Sequence, residues 1–204
     1  MWPTRSKRAG GWRPARRSVK PRFMERSLAL IALFAALIAA LGLIPKFALA
    51  FGVPITAQSL GVMLCGTILG ARRGALAVLL FLLLVAMGLP LLAGGRGGLG
   101  LFVSPTAGFL IGFPLAAFAA GWITERWRSV PLGIASGVAA AVGGILVLYA
   151  FGVTGMAIVL DKSWGEAALL ITAFLPGDAI KAVLAGLITA ALARARPRAV
   201  LSRL

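Results

Sequence analysis

Long apolar runs follow one another along most of the chain and are separated by short polar segments. Six such runs cover residues 27–44, 55–70, 74–89, 105–124, 131–153 and 166–193. A helix needs about 20 apolar residues to cross a ~30 Å hydrocarbon core, so the second and third runs are short for a full crossing. The pattern predicts an all-α membrane protein with six transmembrane helices.

Basic residues lie mostly on one side of this predicted bundle. With the N-terminus inside, seventeen Lys and Arg residues fall in inner segments, and only Lys46, Arg96 and Lys162 fall in outer ones. Inner loops of membrane proteins are enriched in Lys and Arg. We therefore expect both termini to be cytoplasmic and Arg96 to lie outside.

Residues 1–23 differ in composition from the rest. They hold eight basic residues and no acidic one, and such a block of like charge is typically disordered. We expect a disordered basic tail at 1–23 and one transmembrane domain at 24–204. The tail can contact anionic membrane lipid, and no nucleic-acid partner is expected.

Composition excludes several kinds of chemistry. The chain has no histidine and one cysteine, Cys65, which excludes an intramolecular disulfide, the usual zinc sites and a His-based triad. No run carries paired carboxylates for acid–base catalysis. The phosphate-binding pattern G-x-x-x-x-G-K-[ST] is absent, so any ATP hydrolysis belongs to a partner. We expect a protein that is not an enzyme and has no metal or cofactor.

An aspartate and a lysine lie three residues apart inside the last apolar run. Asp178 and Lys181 are the only ionisable residues between Glu166 and Arg194. They share one helix face, and each costs about 2.5–3.5 kcal/mol at the bilayer centre. A structural ion pair and a site for a small polar solute both remain open. The second is favoured, because intramembrane charge usually marks function.

A glycine-rich loop separates the third and fourth runs and carries Arg96. Its glycines, Gly94, Gly95, Gly97 and Gly98, allow the backbone to approach a ligand closely. A flexible linker with a solvated arginine is the open alternative. The loop also matches G-x-G-x-x-G, but no β-α-β unit surrounds it, so dinucleotide binding is not expected.

Small residues form a stripe on the first run. Ala32 and Ala36 lie four residues apart, a spacing that lets another helix pack closely. Such a stripe serves internal packing or, on an outward face, docking of another subunit.

Four motifs stand out along the chain: P-I-T-x-Q at 54–58, GG-x-GG at 94–98, P-T-x-G-x-L-x-G-F at 105–113 and P-G-D-x-x-K at 176–181. Together they closely resemble the BioY family, the biotin-specific substrate-binding (S) components of energy-coupling-factor (ECF) transporters. The resemblance covers about residues 24–193. It implies a six-helix protein of the bacterial inner membrane that takes up biotin with a transmembrane coupling subunit and ATPase subunits. Ala32 and Ala36 would contact the coupling subunit. A solitary biotin transporter, or an S component for another small vitamin, is the alternative.

The chemistry of biotin suits these residues. Asp178 can accept hydrogen bonds from the ureido N–H groups, and Lys181 or Arg96 can pair with the carboxylate. These three side chains sum to +1, so one biotin anion would neutralise the site. Thr56 and Gln58 can bind substrate, or can cap a helix or bond between helices. The other predicted substrate-binding residues are Phe109 and the loop glycines.

Overall fold

The computed structural model describes residues 20–45 and 56–204. Within these ranges the chain forms six helices and no β-strand. They are α1 (Lys20–Leu41), α2 (Gln58–Leu69), α3 (Ala71–Ala86), α4 (Ala107–Arg126), α5 (Leu132–Val159) and α6 (Trp164–Ala195). The predicted six-helix, all-α architecture is confirmed. Of the predicted basic tail, residues 1–19 lie outside the described residues.

The helices differ in length as the apolar runs predicted. Among the described residues, α1, α4, α5 and α6 are long and apolar enough to cross a membrane. Helix α2 has 12 residues, about 18 Å at 1.5 Å per residue, and α3 has 16. The two are joined directly at Gly70, whose φ of +87° turns the chain sharply because glycine tolerates this region.

Helix α4 lies in the middle of the bundle, against α2, α3 and α5, while α1 packs on α2 and α3. Small residues permit the closest crossings. A Cβ atom at Gly108 of α4 would lie 2.1 Å from the Phe151 carbonyl oxygen of α5. Gly186 of α6 packs against Gly137 of α5 in the same way. A Cβ atom at Gly186 would lie 2.9 Å from the Gly137 Cα atom.

Two long helices are locally irregular near the same level of the bundle. A π-helical turn at Val142–Val147 interrupts α5, and a 3-10 turn at Thr172–Phe174 interrupts α6. Pro176 follows in the first turn of the resumed helix, where its missing N–H costs no hydrogen bond. The sequence predicts an interruption at Pro176–Gly177; the structure places it just before them and puts Asp178 in a first helical turn.

The bundle has two distinct ends. At the end that we call the basic end, Arg26 of α1 donates a hydrogen bond to the Arg198 carbonyl oxygen. Arg203 donates there to the Trp127 carbonyl oxygen at 3.0 Å. The opposite end, which we call the loop end, holds the start of α2, the loop between α3 and α4, and the start of α4.

Candidate substrate-binding site

A cavity opens at the loop end of the bundle. Its empty volume is about 520 Å³, a figure that includes the open mouth. It is lined by residues from α2, the α3–α4 loop, α4, α5 and α6: Thr56, Gln58, Ser59, Leu92, Arg96, Thr106, Phe109, Leu110, Phe113, Leu148, Phe174, Asp178 and Lys181.

Lys181 is fully engaged with protein acceptors. Its Nζ atom lies 2.8 Å from Asp178 Oδ1, 2.6 Å from the Thr56 carbonyl oxygen and 3.0 Å from Ser59 Oγ. Since an ammonium has three N–H donors, none is left over. The pair Asp178–Lys181 is the one ion pair within the described part of the chain.

Asp178 is only 4% exposed and accepts three hydrogen bonds. Its Oδ1 accepts from Lys181 and from Ser59 Oγ at 3.1 Å. Its Oδ2 accepts from the Tyr149 hydroxyl at 2.8 Å. A carboxylate offers about four acceptor positions, so Oδ2 has one for a further donor.

The sequence prediction missed Ser59 and Tyr149. Tyr149 is the only tyrosine in the chain, and a tyrosine inside an apolar helix usually needs a hydrogen-bond partner, which was an available signal. It lies two residues after the π-helical turn of α5. Such a turn changes the rotation of the residues after it and is often found at functional sites.

The α3–α4 loop forms a tight turn. The N–H groups of Leu92 and Arg96 each donate to the other's carbonyl oxygen, at 3.0 and 3.1 Å. Gly94 and Gly95 between them have φ values of +81° and +68°, which glycine adopts without strain. Gly98 continues the loop, and its N–H donates to the Val85 carbonyl oxygen at 2.8 Å. The loop is therefore held in place.

None of the four predicted loop glycines is among the residues that line the cavity. The loop instead places Arg96 in the lining. Arg96 Nε donates to the Ala93 carbonyl oxygen at 3.3 Å, and a terminal nitrogen lies 3.4 Å from Thr106 Oγ1. A guanidinium has five N–H donors, so three have no partner among the described residues. Burial lowers the pKa of Arg96, but arginine stays charged in proteins.

Gln58 connects three segments. Its Nε2 donates to the carbonyl oxygens of Ile38 in α1 and Leu91 in the loop, at 3.1 and 3.0 Å. Its Oε1 accepts from the Ala93 N–H at 3.0 Å. Thr56 Oγ1 accepts from the Gln58 backbone N–H at 3.2 Å. Both residues line the cavity. They also make the turn or interhelical hydrogen bonds that were the alternative to substrate binding.

Aromatic rings form the apolar wall. The Phe109 and Phe174 ring centroids are 5.9 Å apart, with the ring planes tilted by 50°. Phe113 lies on the same wall, and all three residues are buried. The wall can cover an apolar ring of a ligand.

The alanine stripe faces outward. Ala32 and Ala36 are exposed on α1, whereas Phe34 and Ile38 are buried in the core. The stripe is therefore free of internal packing partners among the described residues.

Comparison with known proteins identifies the family of the chain. The model of the BioY family matches residues 15–198. The chain belongs to the BioY family. It is 54% identical over 190 residues to the biotin transporter BioY of Rhodobacter capsulatus, covering 88% of this chain and 100% of that protein. It is 55% identical over 169 residues to the biotin transporter BioY of Rhizobium etli, covering 80% and 90%.

A solved structure shows the same fold. The crystal structure of the S-component for biotin from an ECF-type ABC transporter matches with a TM-score of 0.80 and 27% identity, covering 85% of this chain and 93% of that one. These BioY relatives are transporters rather than enzymes, and the chain is a multi-pass membrane protein of that family.

Proposed function

We propose that this chain is the biotin-binding S component of an ECF transporter in the bacterial inner membrane. One observation carries the proposal: the cavity borders both an acceptor position on Asp178 and three donor positions on Arg96. Biotin is complementary to this arrangement, because its ureido ring donates hydrogen bonds and its valerate ends in a carboxylate.

The free hydrogen-bonding positions assign a role to each charge. The remaining position on Asp178 Oδ2 receives one ureido N–H, and the Phe109–Phe174 wall covers the thiophane ring. Arg96 pairs with the carboxylate, since every Lys181 donor already has a protein acceptor. Lys181 instead fixes Asp178. Bound biotin neutralises the +1 charge of these three side chains, as a low-dielectric site favours.

The loop glycines act through backbone geometry. Gly94, Gly95, Gly97 and Gly98 close the turn that carries Arg96 and together act as a lid over the ligand. A Cβ atom at Gly97 would lie 2.3 Å from the Leu89 carbonyl oxygen, which supports a loop that tolerates no larger residue there. Thr56 and Gln58 shape the same side of the pocket.

Equilibrium binding to the purified protein tests this function. Biotin should bind, and lipoate, which has a sulfur ring and a valerate but no ureido group, should bind at least tenfold more weakly, because the Asp178 contact is lost. Equal affinity for the two ligands, or no binding of biotin by folded protein, would refute the assignment.

We also propose that both termini are cytoplasmic and that the cavity opens outside. The basic end gathers the arginines of α1, α4 and the C-terminal segment, and inner segments favour such charge. In a Cys65→Ala background, Arg96→Cys should be labelled from outside and Arg72→Cys from inside. The reverse pattern would overturn the topology.

Coupling to a transmembrane subunit and ATPase subunits is proposed to use the outward stripe on α1. Ala36→Trp should strongly reduce coupled biotin uptake and leave biotin binding to the isolated protein unchanged, since bulk prevents close helix approach. Ala32→Trp should act alike. Ile134→Trp, on an exposed position of α5, is the control. Equal loss of binding and uptake would instead make the stripe part of the protein's own packing.

A further inference from the structure

A second cavity lies between α3 and α4 at the basic end, away from the substrate site. Its empty volume is about 1180 Å³, much of it open. It is lined by Leu69, Ala71, Arg72, Arg73, Phe118, Trp122, Glu125 and Arg126. We call it the arginine groove.

The groove holds more positive charge than the protein neutralises. Glu125 is its one carboxylate, and Glu125 Oε1 accepts the Ala71 N–H at 2.9 Å at the start of α3. No residue of 20–45 or 56–204 forms an ion pair or side-chain hydrogen bond with Arg72 or Arg73. The Arg126 guanidinium lies 5.3 Å from the Trp122 ring centroid. Three arginines and one glutamate leave a net charge of +2.

Two exposed apolar stripes lead from the arginines along the bundle. On α3, Leu76, Leu79 and Leu83 are exposed and follow Arg72 at helical spacing. On α4, the stripe consists of Trp122, Phe118, Leu115 and Ile111. Because α3 packs directly against α4, the stripes run side by side. A ligand here meets positive charge at one end and a long apolar surface beyond it.

We propose that the arginine groove binds an anionic phospholipid with two phosphates, of the cardiolipin class. The guanidiniums of Arg72, Arg73 and Arg126 hold the phosphates in charge-assisted hydrogen bonds, and the acyl chains lie on the two stripes. Two phosphates neutralise the net charge of +2 in the groove, whereas a lipid with one phosphate leaves a net charge of +1. Trp122 lies beside the arginines, where tryptophan suits a membrane interface.

The arrangement of arginines and apolar stripes fits a phospholipid better than it fits either of two other ligands. Free phosphate or a soluble phosphorylated molecule would use the arginines and leave the stripes uncovered. An acidic protein segment would meet the arginines but would leave uncovered the exposed apolar stripes that continue beyond them. Basic pockets between membrane helices are known to bind lipid headgroups. The proposal does not depend on the identity of the vitamin.

Native mass spectrometry of the purified full chain, titrated with cardiolipin, phosphatidylglycerol or phosphatidylcholine, tests the proposal. Cardiolipin should bind most tightly. Each arginine near an anionic lipid contributes roughly fivefold, so the double variant Arg72→Gln/Arg73→Gln should lose about thirtyfold. The matched control, Arg194→Gln/Arg196→Gln, removes two charges near the same end outside the groove and should retain wild-type affinity. Helical circular dichroism and thermal unfolding report folding, and Arg126→Gln is a second variant should the double variant misfold.

Equal cardiolipin loss in the two double variants would overturn the proposal, because binding would then follow net charge alone. Competition by inorganic phosphate at concentrations similar to those of the lipid would replace it with a phosphate site. Unchanged lipid binding, with failure of the Arg72→Gln/Arg73→Gln chain to copurify with the coupling subunit, would replace it with a protein surface.

Discussion

The two ends of the bundle treat buried polar side chains differently. At the loop end, Asp178 and Lys181 form a linked centre beside a cavity, and Asp178 retains an acceptor position. At the basic end, Thr67 and Thr189 share a hydrogen bond of 2.9 Å, and Ser202, only 1% exposed, donates to the Thr67 carbonyl oxygen. Apart from Arg203 Nε, no buried side-chain nitrogen or oxygen among the described residues lacks a partner.

The loop end keeps a cavity, whereas the basic end is closed by packed side chains. We call the closed base of the bundle, around Leu201–Arg203, the seal. The C-terminal turn at Leu201–Arg203 folds under the bundle and fills its base with buried side chains. Arg203 Nε, the exception, belongs to this turn, but Thr67, Thr189 and Ser202 pair with groups of the protein, which stabilises the base. A binding site must keep hydrogen-bonding positions for its ligand, and we propose that Asp178 and Arg96 provide them, since the contacts of the described residues occupy every donor of Lys181.

The largest expected effect comes from removing the acid at the loop end. Asp178→Asn keeps the shape but leaves Lys181 buried without a counter-charge, so biotin affinity should fall by about a hundredfold, as measured by calorimetry. Lys181→Met should cost a similar amount by misplacing Asp178. Asp161→Asn is the control, because Asp161 is exposed and its φ of +49° suits asparagine.

Unchanged affinity in both site variants, with lowered thermal stability, would reduce the pair to a structural salt bridge. The contrast between the two ends would then disappear.

The next largest effect should show which of the two cationic residues, Arg96 or Lys181, pairs with the biotin carboxylate. Biotin methyl ester lacks the carboxylate, so the wild type should prefer biotin to the ester by tenfold to a hundredfold. Arg96→Gln should abolish this preference, and Lys181→Met should retain it. Lys162→Gln, on an exposed lysine, is the control. The opposite result would mean that Lys181 pairs with the biotin carboxylate, which is the alternative that the sequence left open.

A smaller effect is expected at Tyr149, which contacts Asp178 but does not line the cavity. Tyr149→Phe should weaken biotin binding by about tenfold or less, because the carboxylate loses one donor that orients it. The preference for biotin over its methyl ester should be unchanged. A changed preference would mean that Tyr149 acts on the carboxylate end of the ligand.

The smallest effect on binding is expected at the seal. Thr189→Val removes one hydrogen bond with little change in shape, so the free energy of unfolding should fall by ~1 kcal/mol. Biotin affinity should stay within about twofold. A larger loss of affinity would show that the basic end and the cavity are energetically linked.

The sequence predicted the helices because apolar runs of this length have few other solutions in a membrane. It also placed Asp178 and Lys181 together, because residues three apart share a helix face whatever the tertiary structure. Ser59 and Tyr149 depend instead on how α2 and α5 are rotated about their axes. The π-helical turn at Val142–Val147 sets part of that rotation, and nothing in the apolar pattern marks it.

The loop was predictable in part. Its glycine content correctly indicated an unusual backbone at Gly94 and Gly95, but not which groups reach the cavity. That outcome follows from Gln58, whose amide holds Leu91 and Ala93. A contact between residues 35 positions apart in sequence leaves no local signature.

The Gln58 amide also has a mechanical consequence. It binds backbone groups of α1 and of the Arg96 loop at the same time, so it links these two segments. Ile38, the α1 residue that Gln58 contacts, is two residues from Ala36 of the outward stripe. We therefore expect a displacement of α1 to move the loop as well, because the Gln58 side chain at the start of α2 is bonded to both.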